Sequence, residues 1–140
     1  MSFRPLSTAD YAEYHSLINE FRPTTFTEDQ FRQTLDFLQR SGTVWVYEEG
    51  GVLLATGTVF YERKFIFNVC TYAHIEDVCV RATHRRLGLG KRLLRHIVSQ
   101  SRDCYKITLD CANENVPFYE SCGLERRGNQ MCQLLGNLTT

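Results

Sequence analysis

Ala73-His74-Ile75-Glu76-Asp77-Val78-Cys79-Val80, followed by the basic residues 81–87 and then Gly88-Leu89-Gly90-Lys91-Arg92-Leu93-Leu94, decides the fold. The stretch reads as a β-strand, a basic turn and a helix opened by glycines. A helix N-terminus carries backbone N–H groups with no partner inside the helix and a partial positive charge. Glycines there let an anion approach the backbone closely. Arg85 and Arg86 stand just before the glycines. The stretch therefore predicts a phosphate-binding turn. The strand ahead of it holds two adjacent carboxylates, Glu76 and Asp77, which point to opposite faces unless the strand is bulged. A bulge there would also turn a backbone N–H out of the sheet.

Outward from this stretch, composition limits the possibilities. The chain has 140 residues, a length that predicts one domain spanning 1–140. With 43% hydrophobic residues it can bury a core. Sixteen Lys and Arg balance sixteen Asp and Glu, which argues against a general nucleic-acid binder. The near-zero net charge is compatible with self-association. Six cysteines form no Cys-x-x-Cys pair, and no histidine pair lies at zinc spacing, so no metal is expected. Several cysteines fall in apolar runs and are expected to be small buried groups kept reduced. Met1-Ser2-Phe3-Arg4-Pro5 has no apolar leader character, and no run approaches membrane-helix length. An intracellular protein, in the cytoplasm or an organelle, with no membrane contact is expected.

Residues 3–6 form a short candidate strand. The spacing of Tyr11, Tyr14, Leu17, Ile18 and Phe21 predicts a helix over 9–21. Thr27-Glu28-Asp29-Gln30 is a capping box opening a second helix with Phe31, Leu35 and Leu38 on one side. The link between them, 22–26, has the position to line a cleft. Residues 43–48 and 52–61 form a hairpin about Glu49-Gly50-Gly51. Residues 88–101 make a helix, 105–109 a buried strand, and a short helix carries Val116, Phe118 and Tyr119 up to Gly123. Residues 124–135 have room for one hairpin, with its turn at 126–129 and a last strand at 130–135; the tail 136–140 is expected to be loose. This order gives an α+β fold: a mixed, mostly antiparallel sheet with helices on both faces.

The glycine turn alone is a weak signal. No dinucleotide G-x-G-x-x-G run follows the first strand, and there is no G-x-x-x-x-G-K-[ST] sequence. With the strand before it, the turn resembles the acetyl-CoA-binding motif of the GCN5-related N-acetyltransferases. The resemblance implies their acyl-CoA N-acyltransferase (GNAT) fold, with splayed central strands. It implies that Arg85, Arg86, Leu87, Gly88, Leu89, Gly90 and Lys91 hold the coenzyme A pyrophosphate. The thioester would lie along Val78, Cys79, Val80 and Arg81, with the Val78 N–H polarising its carbonyl.

A closer resemblance covers nearly the whole chain. His74-Ile75-Glu76-Asp77-Val78, Cys104-Tyr105-Lys106-Ile107-Thr108-Leu109-Asp110-Cys111, Asn115-Val116-Pro117-Phe118-Tyr119, Cys122-Gly123, Lys64-Phe65-Ile66 and Met131-Cys132 are similar to eukaryotic glucosamine 6-phosphate N-acetyltransferases. That resemblance implies direct acetyl transfer, in a ternary complex, from acetyl-CoA to the 2-amino group of glucosamine 6-phosphate, a step toward UDP-N-acetylglucosamine. It implies Tyr119 as general acid on the leaving thiolate, and Asp110 and Glu76 as catalytic carboxylates. Asn115, Phe118 and Tyr119 would border acetyl-CoA. Lys64, Phe65, Ile66, Phe67, Glu76, Asp77, Tyr105, Lys106 and Asp110 would bind the sugar phosphate. Tyr105 and Lys106 would do so in the partner's cleft of a homodimer.

Two positions depart from that family. Gln133-Leu134 stands where an arginine follows the Met-Cys pair, and Phe21 where a threonine ends the first helix. Arg22, Thr24 or Arg63 is therefore expected to complete the phosphate site. The rewired positions keep open an acetyltransferase for another small amine or a protein N-terminus. A non-catalytic acyl-CoA sensor is opposed by the joint presence of Asp110 and Tyr119.

Overall fold

β4 (Thr71–Val80) buries Ala73 and Ile75 in one core cluster and, past the exposed Glu76 and Asp77, Cys79 in the other. In the computed structural model, which describes residues 2–136, it is the fourth strand of a five-stranded sheet of order β1-β2-β3-β4-β5. The others are β1 (Ser2–Pro5), β2 (Gly42–Glu49), β3 (Val52–Arg63) and β5 (Lys106–Leu109). The first three pairings are antiparallel and β4–β5 is parallel. The parallel pair is joined through α4 (Leu89–Gln100), the crossover that parallel strands require.

Ala73 and Ile75 point to one face, where they pack with Ala55, Val59, Leu89, Leu93, Leu94 and Ile97. The opposite face is covered by α1 (Tyr11–Phe21) and α2 (Glu28–Gln39), whose Leu17, Phe31 and Leu35 meet Val44, Val46, Leu53 and Cys79. The expected capping box opens α2: the Gln30 N–H donates to Thr27 Oγ1 at 3.1 Å, and the Thr27 N–H to Gln30 Oε1 at 2.8 Å. α1 is tied to the end of β4 by Arg81. Its guanidinium donates to the Leu53 carbonyl at 2.9 Å and to Ser16 Oγ and Glu20 Oε2, each at 3.2 Å. No helix among the described residues is long and apolar enough to cross a membrane.

Between β3 and β4 the chain makes a single turn, α3 (Ile66–Val69), in which Phe67, Asn68 and Val69 all have positive φ. Three expectations are corrected. β5 is an edge strand, and Lys106 is exposed while Ile107, Thr108 and Leu109 are half-buried, not the fully buried strand its apolar run suggested. The last hairpin does not form: residues 124–136 contain no strand, and Met131, Leu134 and Leu135 are each at least 85% exposed. Among the six free cysteines only Cys79 is buried, while Cys111 and Cys132 are exposed. Residues 137–140, most of the tail expected to be loose, lie outside the described residues.

One packing feature predicts how stability depends on pH. The His96 ring stacks on Phe3, with centroids 4.9 Å apart, and sits edge-on to Trp45 at 4.4 Å. Its Nε2 is buried without a hydrogen-bond partner. Burial therefore holds its pKa below the ordinary 6.5. The folded state binds fewer protons here than the unfolded one. The stabilisation is complete above the unfolded value and is lost as pH falls through the lowered one. Thermal melts should show Tm falling as the pH drops below the ordinary histidine value of 6.5, and His96→Phe should flatten that slope.

Candidate active site

The ladder between β3 and β4 slips at one point. Thr56 opposes Cys79 and Thr58 opposes Glu76, so Gly57 faces two residues, Asp77 and Val78, that have no register partner. Asp77 takes φ +53°, the left-handed conformation of a bulge. This is the bulge that would let the two adjacent carboxylates serve one site. It leaves the Val78 N–H outside the ladder. On the other side, the parallel pairing of β4 with β5 ends at Ile75–Leu109, and beyond that the strands part.

The gap opens into a cavity of about 320 Å³ lined by Phe21, Arg22, Glu76, Asp77, Val78, Asp110, Cys111, Ala112, Asn115 and Tyr119, with Ile75 and Leu109 at its floor. Sequence positions nearly a hundred residues apart thus meet. Arg22 comes from the end of α1, Glu76 to Val78 from the bulge, and Asp110 from the end of β5. Tyr119 comes from α5 (Val116–Ser121), whose first turn contains Pro117, as suits a helix start.

The electrostatics separate these groups. Asp77 is held above the ordinary carboxylate range by partial burial first and by Glu76 next, with Arg22 opposing both. Tyr119 is raised above 10.0, chiefly by burial, with Cys111 and Cys122 adding to it. Its phenol is therefore protonated at neutral pH. Tyr14, read in the sequence only as part of an apolar stripe, is pushed up to about 12 by burial and then by Asp77.

The turn expected to bind phosphate leads into α4, where Gly90 lies against Val80 and Phe118, neighbours in the chain of the cavity-lining Val78 and Tyr119. Gly88, at the N-cap of α4, has φ +82°, and Arg86 before it has φ +65°. A side chain at Gly90 would put its Cβ 3.2 Å from Phe118 Cζ and 3.5 Å from Val80 Cγ2. Gly90 thus permits close contact between α4 and α5, besides leaving the helix N-terminus bare. Arg85 Nε donates to the Val80 carbonyl at 3.0 Å. Arg86, Leu87 and Lys91 leave their side chains at least partly accessible, whereas Leu89 and Cys79 are core residues that can offer only backbone. Arg81 is committed elsewhere: besides its side-chain bonds to α1, its N–H donates to the Leu54 carbonyl at 2.7 Å. The bare N–H groups, the left-handed Gly88 and the flanking arginines fit a diphosphate.

The remaining expected sugar-phosphate residues gather elsewhere. Lys64 Nζ lies 4.9 Å and Lys106 Nζ 4.5 Å from the centroid of the Tyr72 ring. Phe67 stacks on Tyr105 at 4.5 Å, and Phe65 and Ile66 are exposed beside them. Lys106 precedes Asp110 by four residues, about 13 Å along an extended strand, so this cluster stands apart from the cavity of its own chain. Arg63 borders a different, shallow depression with Gln39, Arg40, Tyr61 and Thr71. Thr24 is held by Asn19 and His15, its N–H donating to Asn19 Oδ1 and its carbonyl accepting from His15 Nε2, both at 2.8 Å. Of the three proposed substitutes for the missing arginine, only Arg22 reaches the cavity.

Comparison with known proteins agrees with this geometry. Residues 11–124 match the model of the acetyltransferase (GNAT) family. Glucosamine 6-phosphate N-acetyltransferase 1 of Dictyostelium discoideum is 34% identical over 139 residues, covering 94% of this chain and 88% of that protein. Its namesake from Oryza sativa subsp. japonica is 38% identical over 137 residues, 91% of this chain and 83% of the relative. The crystal structure of glucosamine-6-phosphate N-acetyltransferase from Arabidopsis thaliana superposes with a TM-score of 0.89 at 31% identity, covering 96% of this chain and 98% of that one. With the bulged strand, the splayed cavity and the glycine-opened helix all in place, the chain belongs to the GNAT acetyltransferases and, among them, to the glucosamine 6-phosphate N-acetyltransferase family.

Proposed function

We propose that the chain, acting as one domain over 1–140, transfers the acetyl group of acetyl-CoA to the 2-amino group of glucosamine 6-phosphate. The product, N-acetylglucosamine 6-phosphate, would serve UDP-N-acetylglucosamine synthesis. The observation that carries this reading is the cavity at the strand splay, where Glu76, Asp77 and Asp110 meet Tyr119 beside the unpaired Val78. The diphosphate of acetyl-CoA binds the turn at Arg85, Arg86, Gly88 and Gly90, and the thioester reaches along β4 to Val78. The Val78 N–H takes the oxyanion that forms when the amine attacks. Asp110 orients the amine, and Glu76 receives its proton. The C–S bond then breaks, and Tyr119 protonates the departing thiolate, a role its raised pKa supports.

The sugar phosphate is held by two chains in this reading. Lys106, Tyr105 and Lys64 of one protomer serve the cavity of the other, while Arg22 approaches from the chain that owns it. The distance between the lysine cluster and Asp110 supports this. So do the open edge of β5, the exposed Phe65, Ile66 and Phe67, and the strandless segment 124–136, in which Met131, Leu134 and Leu135 are without cover. A second copy of the chain would cover them. Consumption of acetyl-CoA and six cysteines kept as free thiols support an intracellular setting, most simply the cytoplasm.

A second reading, another small amine or a protein N-terminus as acceptor, draws on Gln133-Leu134 where the family has an arginine. Thiol release from acetyl-CoA, measured over a panel of amines, separates the two. Glucosamine 6-phosphate should exceed glucosamine in kcat/KM by at least about 100-fold, the worth of one or two charged contacts to phosphate. Equal rates with the two sugars would remove the phosphate from the reading. Arg22→Ala should raise KM for glucosamine 6-phosphate and leave KM for acetyl-CoA unchanged.

A further inference from the structure

His74 takes no part in the roles assigned so far, yet it is held at both ring nitrogens. Its Nδ1 lies 2.8 Å from Thr108 Oγ1, across the β4–β5 pairing, and its Nε2 lies 2.8 Å from Glu76 Oε1. One atom from each of His74, Glu76 and Asp110 falls within 4.8 Å of the others. An ionised carboxylate only accepts hydrogen bonds, so Nε2 carries the hydrogen and Nδ1 accepts from the Thr108 hydroxyl. The side chain is 25% exposed, on the sheet face turned away from α4.

We propose that His74 is a positioning residue that fixes the Glu76 carboxylate toward the amine and, paired with it, accepts the proton that the amine gives up. This rests on the acetyl-transfer reading above. Glu76 follows Ile75 into the splay: it is still paired with Thr58 of β3, but β5 has parted from β4 beyond Ile75, so no strand neighbour flanks its side chain on that side. A carboxylate on a freely turning side chain would spend little time aimed at the acceptor; the Nε2–H bond limits it to one orientation. Thr108 completes the arrangement because a hydroxyl can donate or accept. When the pair takes a proton and the ring becomes doubly protonated, Thr108 turns to accept from Nδ1–H, and no nitrogen is left without a partner. A lysine or glutamine at position 74 could not switch in this way.

The bookkeeping of the reaction is simple. The bound ammonium loses one proton to the Glu76–His74 pair, which returns it to solvent. The free amine forms the C–N bond and the C–S bond breaks. The second nitrogen-bound proton is lost as the amide forms and replaces the one Tyr119 gives to the thiolate. One coenzyme A thiol and one solvent proton result. The charged groups facing His74 are Glu76 on its own strand, Lys106 and Asp110 along β5, and Glu62 two positions beyond its β3 partner Phe60.

Two measurements test this. In long-range 1H–15N spectra of the free protein, which need no acceptor, the His74 ring should appear as the Nε2–H tautomer, and Glu76→Gln should shift its Nε2 signal. An Nδ1–H tautomer, or no response to Glu76→Gln, overturns the proposal whatever the acceptor proves to be. In steady-state assays His74→Gln should lower kcat about 10- to 100-fold and move the acid limb of its pH profile, with acetyl-CoA affinity by calorimetry unchanged. Thr108→Val should produce a smaller loss in the same sense. An unmoved pH profile, or acetyl-CoA binding lost together with kcat, makes His74 merely structural and overturns the proposal. If the parent protein fails to acetylate glucosamine 6-phosphate, the acceptor reading fails, while the spectra still judge His74.

Discussion

Tyr119→Phe should lower kcat by about 10²- to 10⁴-fold, the range general acids supply, while KM for acetyl-CoA stays within about threefold. The substitution removes one oxygen and leaves the ring, which packs against Phe118 with centroids 5.0 Å apart, in place. The lost proton donor then appears in the chemical step alone. The departing thiolate must find its proton from water in a half-buried site. Because burial keeps the phenol protonated, Tyr119 imposes no loss of rate on the wild-type profile until pH passes the ordinary tyrosine value of 10.0. Pre-steady-state mixing with acetyl-CoA and glucosamine 6-phosphate, read by thiol release, measures the step directly. An unchanged kcat in Tyr119→Phe would remove the acid from the mechanism.

Gly90→Val is expected to act on both substrates at once. Its Cβ would stand 3.2 Å from Phe118 Cζ and 3.5 Å from Val80 Cγ2, before its methyl groups are counted. Phe118 must move, and Tyr119 moves with it, since the two are adjacent in a helix of only six residues. Overpacking of this kind costs about 1–3 kcal/mol, equivalent to about 5- to 150-fold. The branched side chain also covers backbone N–H groups at the start of α4. KM for acetyl-CoA should therefore rise and kcat fall together, with Gly90→Ala showing a smaller loss of the same kind. A kcat that holds while KM rises would show that α5 accommodates the new side chain without disturbing Tyr119.

The parts of this protein that could be read from the sequence are those governed by local chemistry. Thr27 and Gln30 define a helix start because their side chains satisfy each other's backbone N–H groups, and nothing distant is involved. Strand alternation alone said that Glu76 and Asp77 share a face only if the strand is bulged, and Asp77 has the positive φ that a bulge brings. The apolar residues of 130–135 also follow local rules for a strand, yet they form none. A strand needs a partner edge, and among the described residues none pairs with them. β5 misled because an apolar run does not give a strand's place in the sheet: it stands at the edge, paired with β4 alone. His74 was legible as part of a motif but not as a group with a task. Its meaning depends on Thr108, 34 residues away, which parallel pairing brings opposite. Arg22, Thr24 and Arg63 were equivalent on paper; the path of the chain after α1 separates Arg22 from Thr24, and the end of β3 carries Arg63 to a different depression.

In the proposed mechanism the slip between Thr56 and Thr58 makes catalysis depend on counting residues rather than on their identities. The group that would face the oxyanion is a peptide N–H, which every residue but proline supplies, so the side chain at 78 is free to serve packing. The number of residues between Glu76 and Cys79 has no such freedom. Losing one would let the strands pair regularly, bury the exposed amide in the ladder and close the gap where the acetyl group must lie. Lineages descending from this chain can therefore exchange the residue at 78 widely, whereas a single-codon deletion there should be purged even when the protein still folds.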